Sequence, residues 1–104
     1  MHDHIYDLLN YSSKGNLIKV KETVELIMRD KVSGFDNVCK GDYDERTALH
    51  LACSEGHYPI VHFFIENGYF ENILVKDRWD NTPLDDANRE NHKYISRYLK
   101  KKIR

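Results

Sequence analysis

Six histidines are the residues of this chain that most readily suggest chemistry. His2 and His4 lie close together at its start, and His50, His57 and His62 fall within one short stretch. Imidazole nitrogens are common zinc ligands, yet neither of the usual zinc patterns, CxxC and HExxH, occurs in the sequence. We therefore predict no metal site, and we interpret His50 and His57 as structural residues.

The thiols and the glycines give no sign of a reactive centre either. Cys39 and Cys53 are too few for a disulfide scaffold, so we expect two free thiols in a reducing, intracellular compartment, with Cys53 buried beside Ala52. The five glycines are scattered singly and form no phosphate-binding loop. The sequence therefore predicts no cofactor.

Charge and hydropathy argue against nucleic acid and membrane partners. The chain has 104 residues, a length typical of one domain, and its 16 basic and 17 acidic residues give a net charge of -1. No apolar run approaches the roughly 18 residues that span a bilayer. The basic end, Lys100, Lys101, Lys102 and Arg104, is explained by the preference of cations for the C-terminal end of a helix.

The elements that position these residues are revealed by an internal repeat. Six residues recur at a constant offset of about 35, close to the ankyrin period of about 33. They are Thr47, Leu49, Ala52, His57, Ile60 and Phe64, which match Thr82, Leu84, Ala87, His92, Ile95 and Leu99. Threonine is suited to the start of a helix, and Gly56 and Asn91 are suited to a left-handed helix end. Each block therefore predicts a pair of short helices.

We predict an all-α fold, an ankyrin-repeat solenoid of about three helix-turn-helix units, occupying residues 1–104 as a single domain. The expected units are an irregular first repeat at 4–38, a central repeat at 42–74 and a terminal repeat at 76–104. The first and last are expected to act as caps, because one face of each meets water. Residues 31–40 are expected to form a loop that lengthens the connection after the first unit.

Two turn sequences make the resemblance more specific than that to ankyrin repeats in general. The runs Asp42-Tyr-Asp-Glu-Arg-Thr-Ala-Leu-His50 and Lys76-Asp-Arg-Trp-Asp-Asn-Thr-Pro-Leu-Asp-Asp-Ala87 resemble the C-terminal ankyrin region of the animal-type glutaminases. The resemblance implies a parent enzyme that hydrolyses glutamine to glutamate and ammonia with a Ser-x-x-Lys nucleophile. No serine of this chain has a lysine three residues later. We therefore expect the chain to be non-catalytic, a regulatory or assembly domain of such an enzyme.

The turn tips and the adjoining concave face are the predicted partner-binding surface, since side chains there can vary without disturbing the core. The predicted contact residues are Tyr43, Asp44, Glu45 and Arg46 from one turn and Arg78, Trp79, Asp80 and Asn81 from the next. Trp79 is the expected anchor, because tryptophan often carries interface energy. The structural alternative is that Tyr43 and Trp79 pack on the neighbouring turn while Asp42 and Asp77 accept hydrogen bonds from backbone donors.

A second function remains open, that of a free-standing ankyrin adaptor that binds a signalling or host protein. The exposed aromatic turn would also permit self-association into a homo-oligomer. The two functions imply different locations, since a glutaminase domain would be mitochondrial and an adaptor cytoplasmic.

Overall fold

The fold is a stack of helix pairs. The computed structural model describes residues 4–103, and within that range the regular structure is seven helices with no strand. His2, one of the histidines considered above, lies outside the described residues. The helices are α1 (His4–Lys14), α2 (Leu17–Met28), α3 (Gly34–Val38), α4 (Ala48–Ser54), α5 (Tyr58–Glu66), α6 (Pro83–Arg89) and α7 (Lys93–Ile103).

Three units stack in two layers. Unit 1 contains α1, α2 and α3, unit 2 contains α4 and α5, and unit 3 contains α6 and α7. The first helices form one layer, in which α4 contacts both α1 and α6, and in the other layer α5 contacts both α2 and α7. The predicted all-α ankyrin solenoid is therefore confirmed.

The start of each first helix in units 2 and 3 is fixed by a threonine. The Thr47 hydroxyl accepts a hydrogen bond from the His50 backbone N–H, and the His50 ring accepts one from the Thr47 backbone N–H. Thr82 and Asp85 form the same reciprocal pair, in which a carboxylate takes the place of the ring. Both pairs satisfy donors that a helix start leaves free, so the predicted start signals are confirmed.

A histidine ring packed on a glycine joins each unit to the one before it. The His57 Nε2 atom lies 2.8 Å from the Ser13 carbonyl oxygen, and the His92 Nε2 atom lies 2.9 Å from that of Ser54. Gly15 and Gly56 have positive φ angles, and a Cβ on either would come within 2.7 Å of the ring. Glycine is thus required both by the left-handed helix end and by the close approach of the histidine.

The core runs through both layers. Its largest fully buried side chains include Leu8 and Val24 in unit 1, Leu49 and Phe64 in unit 2, and Leu99 in unit 3. Cys53 is also fully buried, as predicted, whereas Cys39 is half-buried and its Sγ atom lies 2.9 Å from the Tyr69 carbonyl oxygen. Both cysteines are free.

The expectation of a loop at residues 31–40 was wrong in part, because Gly34–Val38 is a short helix. The Asp30 carboxylate accepts hydrogen bonds from the Val32 and Ser33 backbone N–H groups and turns the chain after α2. Val38 is fully buried in the core. Burial of that one apolar side chain, rather than a helical pattern in the sequence, explains why this segment is ordered as α3.

Candidate partner-binding surface at the turn tips

Two turns of closely similar backbone precede α4 and α6. In the first turn tip (residues 42–46), the Asp42 carboxylate accepts hydrogen bonds from the Asp44 and Arg46 backbone N–H groups, at 2.8 and 3.0 Å. In the second turn tip (residues 77–81), the Asp77 carboxylate accepts from Trp79 and Asn81, each at 2.9 Å. These bonds hold each turn in one conformation from within.

The residue at the apex of each turn has a left-handed backbone. Glu45 has a φ angle of 62° and Asp80 has a φ angle of 64°. Residues other than glycine rarely adopt this backbone conformation, although aspartate tolerates it better than most. Both carboxylates are exposed, and neither has an ion pair or a side-chain hydrogen bond among residues 4–103.

The two turn tips lie side by side. The Arg78 backbone N–H donates to the Asp44 carbonyl at 2.8 Å, and the Arg78 guanidinium lies 3.3 Å from the Asp44 carboxylate. The His50 Nε2 atom lies 2.8 Å from the Asn81 carbonyl oxygen. Because the other ring nitrogen of His50 accepts from Thr47, Nε2 carries the proton and donates to Asn81.

The two aromatic side chains of the tips are open to solvent. Tyr43 is 95% exposed and Trp79 is 59% exposed. The alternative that Tyr43 packs on the neighbouring turn is therefore wrong, and Trp79 offers more than half of its surface. Both rings are therefore accessible to a partner at the turn tips.

Arg46 differs from the other predicted contact residues, because its side chain is only 19% exposed. Its guanidinium lies 3.6 Å from the Asp77 carboxylate and 3.3 Å from the Asp86 carboxylate, and both of those side chains are fully buried. Arg89 lies 3.0 Å from the other oxygen of Asp86. Arg46 therefore stabilises the contact between units 2 and 3, and the expectation that its side chain lines the exposed surface was wrong.

Asp86 was missed by the sequence reasoning. It stands one repeat after Leu51, so an acidic residue replaces an aliphatic one at that position of the repeat, which is the signal that could have revealed it. Burial raises the pKa of Asp86 above its ordinary value, and the guanidinium groups of Arg46 and Arg89 oppose that shift. The buried charge is matched by those two cations.

His50, Asp77 and Asp86 place possible metal-ligand atoms within 4.8 Å of one another. Their arrangement is that of an ion-pair network, because the Arg46 guanidinium already supplies the positive charge. Both ring nitrogens of His50 are also engaged, by Thr47 and by Asn81. These groups fix the position of the second turn tip relative to the first.

The two thiols are poor nucleophiles in this setting. Burial and the nearby carboxylates of Asp36 and Glu71 raise the pKa of Cys39 to about 11. Burial likewise raises the pKa of Cys53 far above the ordinary value for a thiol. Because the thiolate is the reactive form, neither cysteine has the character of a catalytic residue.

A row of rigid turns beside a helix stack defines the class of molecule, a helical-repeat scaffold that presents side chains at its turns. Residues 9–104 match the protein family described as ankyrin repeats (3 copies). The chain belongs to the ankyrin-repeat family. Ankyrin repeats are a type of protein-interaction module and are not catalytic.

Similar stretches occur in relatives of two unrelated kinds. The chain is 47% identical over 76 residues to the mitochondrial liver isoform of glutaminase from Mus musculus, and equally to that from Rattus norvegicus. It is 43% identical over 70 residues to the potassium channel SKOR of Arabidopsis thaliana. The matches cover 73% and 67% of this chain, but only 12% of each glutaminase and 8% of the channel. Within residues 4–103 no helix is long and apolar enough to cross a membrane.

Proposed function

We propose that this chain is the regulatory or assembly domain of a glutaminase, and that it binds a protein partner through the two turn tips. The observation that carries the binding surface is the exposure of Tyr43 and Trp79 on two adjacent turns. Because both turns are held by internal hydrogen bonds, a partner that covers these rings need not order the backbone beneath them.

Glutaminase is favoured as the parent by similarity over most of the chain, including the 47% identity to the mammalian liver isoforms. The parent reaction would convert glutamine and water to glutamate and ammonia. This chain has no Ser-x-x-Lys sequence, so the nucleophile would lie elsewhere in the parent protein. The same origin would place the protein in mitochondria.

The turn tips suit a partner that covers an aromatic centre and meets charges at the rim. Trp79 would contribute about 2 kcal/mol or more to binding if a partner buried it fully. Glu45 and Asp80 offer free carboxylates, while the Arg78 guanidinium is already next to Asp44. Arg46 and the Asn81 carbonyl act behind this surface by holding the tips together.

The first experiment asks whether a glutaminase parent exists. The coding sequence upstream of Met1 is expected to encode a domain with a Ser-x-x-Lys nucleophile, and the isolated chain is expected to show no glutamine hydrolysis. An upstream sequence that continues into another kind of protein would refute the glutaminase assignment. Turnover by the isolated chain would refute its non-catalytic role.

The second experiment tests the surface in the parent protein. Trp79→Ala is expected to weaken association with the partner, or with the catalytic domain, at least tenfold, while the melting temperature of the domain stays unchanged. Phe35→Ala is the matched control, because Phe35 is 56% exposed but belongs to α3 and to neither turn tip. Equal losses in the two variants would mean that the turn tips are not the binding surface.

The alternative function is a free-standing ankyrin adaptor in the cytoplasm that binds a signalling or host protein. The similarity to a plant potassium channel favours keeping it, because it links nearly the same length of chain to a parent other than glutaminase. An open reading frame that begins at Met1 would support the adaptor. Self-association through the tips would appear as a dimer in light scattering that Trp79→Ala converts to a monomer.

A further inference from the structure

The last helix carries an excess of positive charge that its role as a cap does not explain. Residues 93–104 contain six of the 16 basic residues of the chain and none of its 17 acidic residues. Lys93, Arg97, Lys100 and Lys101 are all exposed and make no ion pair among residues 4–103, whereas Lys102 is paired with Glu66 at 2.7 Å. We call those four residues the basic stripe.

The basic stripe occupies one side of α7. At about 100° per residue, its four members fall within an arc of about 100°, and the buried residues Ile95 and Leu99 lie on the opposite side. The helix dipole favours cations only in the last turn, which accounts for Lys100 and Lys101. Lys93 is the first residue of the helix, where a cation is unfavourable, so the dipole does not explain the whole stripe.

Grooves flank the stripe on both sides. One, of about 240 Å³, is lined by Tyr58, Tyr94 and Tyr98 together with Arg97 and Lys101. The Tyr58 ring meets the other two tyrosine rings edge-on, at centroid distances of 4.8 and 5.4 Å. The other groove, of about 330 Å³, includes Asn88 and Asn91 beside Lys93 and Lys100. The stripe is thus bordered by rings on one side and by amides on the other.

We propose that the basic stripe binds a short acidic segment of a protein partner, at a surface separate from the turn tips. Carboxylates of that segment pair with the four free cations, and its apolar atoms lie on the tyrosine rings. A long polyanion fits less well, because the rest of the chain, residues 1–92, has ten basic and 17 acidic residues and repels it beyond the length of α7. The helix is about 16 Å long, which limits the segment to a few residues.

The test uses the whole chain and a fluorescent peptide of about ten residues, long enough when extended to cover α7, in which glutamates alternate with serines. The chain is expected to bind it with an affinity that falls at least tenfold between about 20 and about 300 mM NaCl. A peptide with glutamine in place of glutamate is expected to bind at least tenfold more weakly. Equal binding of the two peptides would overturn the proposal.

Charge variants locate the site. Arg97→Glu with Lys101→Glu is expected to weaken binding of the glutamate peptide at least tenfold, whereas Lys31→Glu with Lys40→Glu, which changes the net charge equally at exposed residues elsewhere, is expected to change it less than twofold. Circular dichroism checks that both variants fold. If the first does not fold, Arg97→Gln with Lys101→Gln takes its place. Equal effects at the two pairs would refute the site.

Competing occupants are measured beside the peptide. An oligonucleotide of about ten thymidines and vesicles containing phosphatidylserine are expected to bind more weakly than the peptide at about 150 mM NaCl. Tighter binding of either one would replace the proposal with that ligand. A salt-sensitive dimer that Arg97→Glu with Lys101→Glu dissolves would mean instead that the acidic segment belongs to a second copy of this chain. Because Trp79 lies on a turn tip and not on α7, Trp79→Ala is expected to leave peptide binding unchanged, which keeps this test independent of the turn tips.

Discussion

The two interfaces between neighbouring units are built differently. The interface between units 1 and 2, here the first interface, has apolar packing of α1 on α4 and the hydrogen bond from His57 to Ser13. The interface between units 2 and 3, the second interface, repeats that arrangement with His92 and Ser54. It then adds ion pairs between units 2 and 3, most of which involve residues of the two turn tips.

Those added links are of two kinds. Buried ones join Arg46 to Asp77 and Asp86, and exposed ones join Arg78 to Asp44 and Lys102 to Glu66. Removal of one partner from a buried ion pair is strongly destabilising, because it leaves the other charge buried without a partner. Exposed ion pairs contribute little to stability. The histidine contact is therefore common to both interfaces, whereas the buried Arg46 is a feature of the second one.

Removal of that arginine should have the largest effect on stability. Arg46→Ala leaves the buried Asp77 carboxylate without its cation and leaves Asp86 with only Arg89, so we expect a loss of about 3 kcal/mol in the free energy of unfolding. Asn81→Ala changes the equivalent residue of the second turn tip and should cost less than about 0.5 kcal/mol. Urea unfolding followed by circular dichroism measures both. A loss below about 1 kcal/mol for Arg46→Ala would remove the distinction between the interfaces.

The histidine contacts should be equivalent at the two interfaces. His57→Ala and His92→Ala each remove a half-buried ring and leave a carbonyl oxygen without its donor, so we expect each to cost about 2 kcal/mol. The same unfolding measurement compares them. Losses that differ by more than about 1 kcal/mol would show that the shared geometry does not carry the same energy in both places.

The regular part of this architecture could be predicted from the sequence, because its determinants are local. Thr47 and Thr82 start helices through hydrogen bonds to residues three positions away, and Gly56 and Asn91 end them through their own φ angles. The offset that relates these residues was enough to predict the stacked units. No such local signal marks α3, which depends on burial of Val38 in the core.

The candidate surface was predictable as a set of turns but not side chain by side chain. Arg46 and Arg78 are both arginines on turn tips, yet one is buried against Asp86 and the other is exposed. That difference depends on an acidic residue in the following unit, about 40 positions after Arg46 in the chain. The exposure of Tyr43 likewise depends on how much of its ring the neighbouring turn covers. The sequence of its own turn does not determine that.

High pH should weaken the second interface alone. Partial burial and the hydrogen bond that its hydroxyl donates to Glu66 raise the pKa of Tyr98 above its ordinary value of 10.0. A group whose pKa is raised by folding stabilises the fold fully below its unfolded-state pKa, which is about 10 for tyrosine. Above that pH the stabilisation decreases, and it is lost as pH rises through the higher folded-state pKa. The free energy of unfolding should therefore fall more steeply above pH 10 in the native chain than in Tyr98→Phe.

The opposite sign applies to the acceptor of that bond. Hydrogen bonds from Lys102 and Tyr98 lower the pKa of Glu66. The contribution of Glu66 to stability is therefore complete above its ordinary pKa of 4.5 and is lost as pH falls below that value.

The control for the alkaline measurement is Tyr94→Phe, because the Tyr94 hydroxyl makes no side-chain hydrogen bond in the described part of the chain. Parallel pH profiles for the native chain and Tyr98→Phe would show that the bond does not contribute to the interface.

The smallest effect is expected at the exposed link between the turn tips. The Arg78 and Asp44 side chains are 61% and 38% exposed, so water and salt screen their attraction. Arg78→Ala should therefore cost less than about 0.5 kcal/mol, and the difference should vanish in about 1 M NaCl. The backbone hydrogen bond from Arg78 to the Asp44 carbonyl survives the substitution and keeps the tips adjacent. A loss above about 1 kcal/mol would mean that exposed links, as well as the buried arginine, stabilise the second interface.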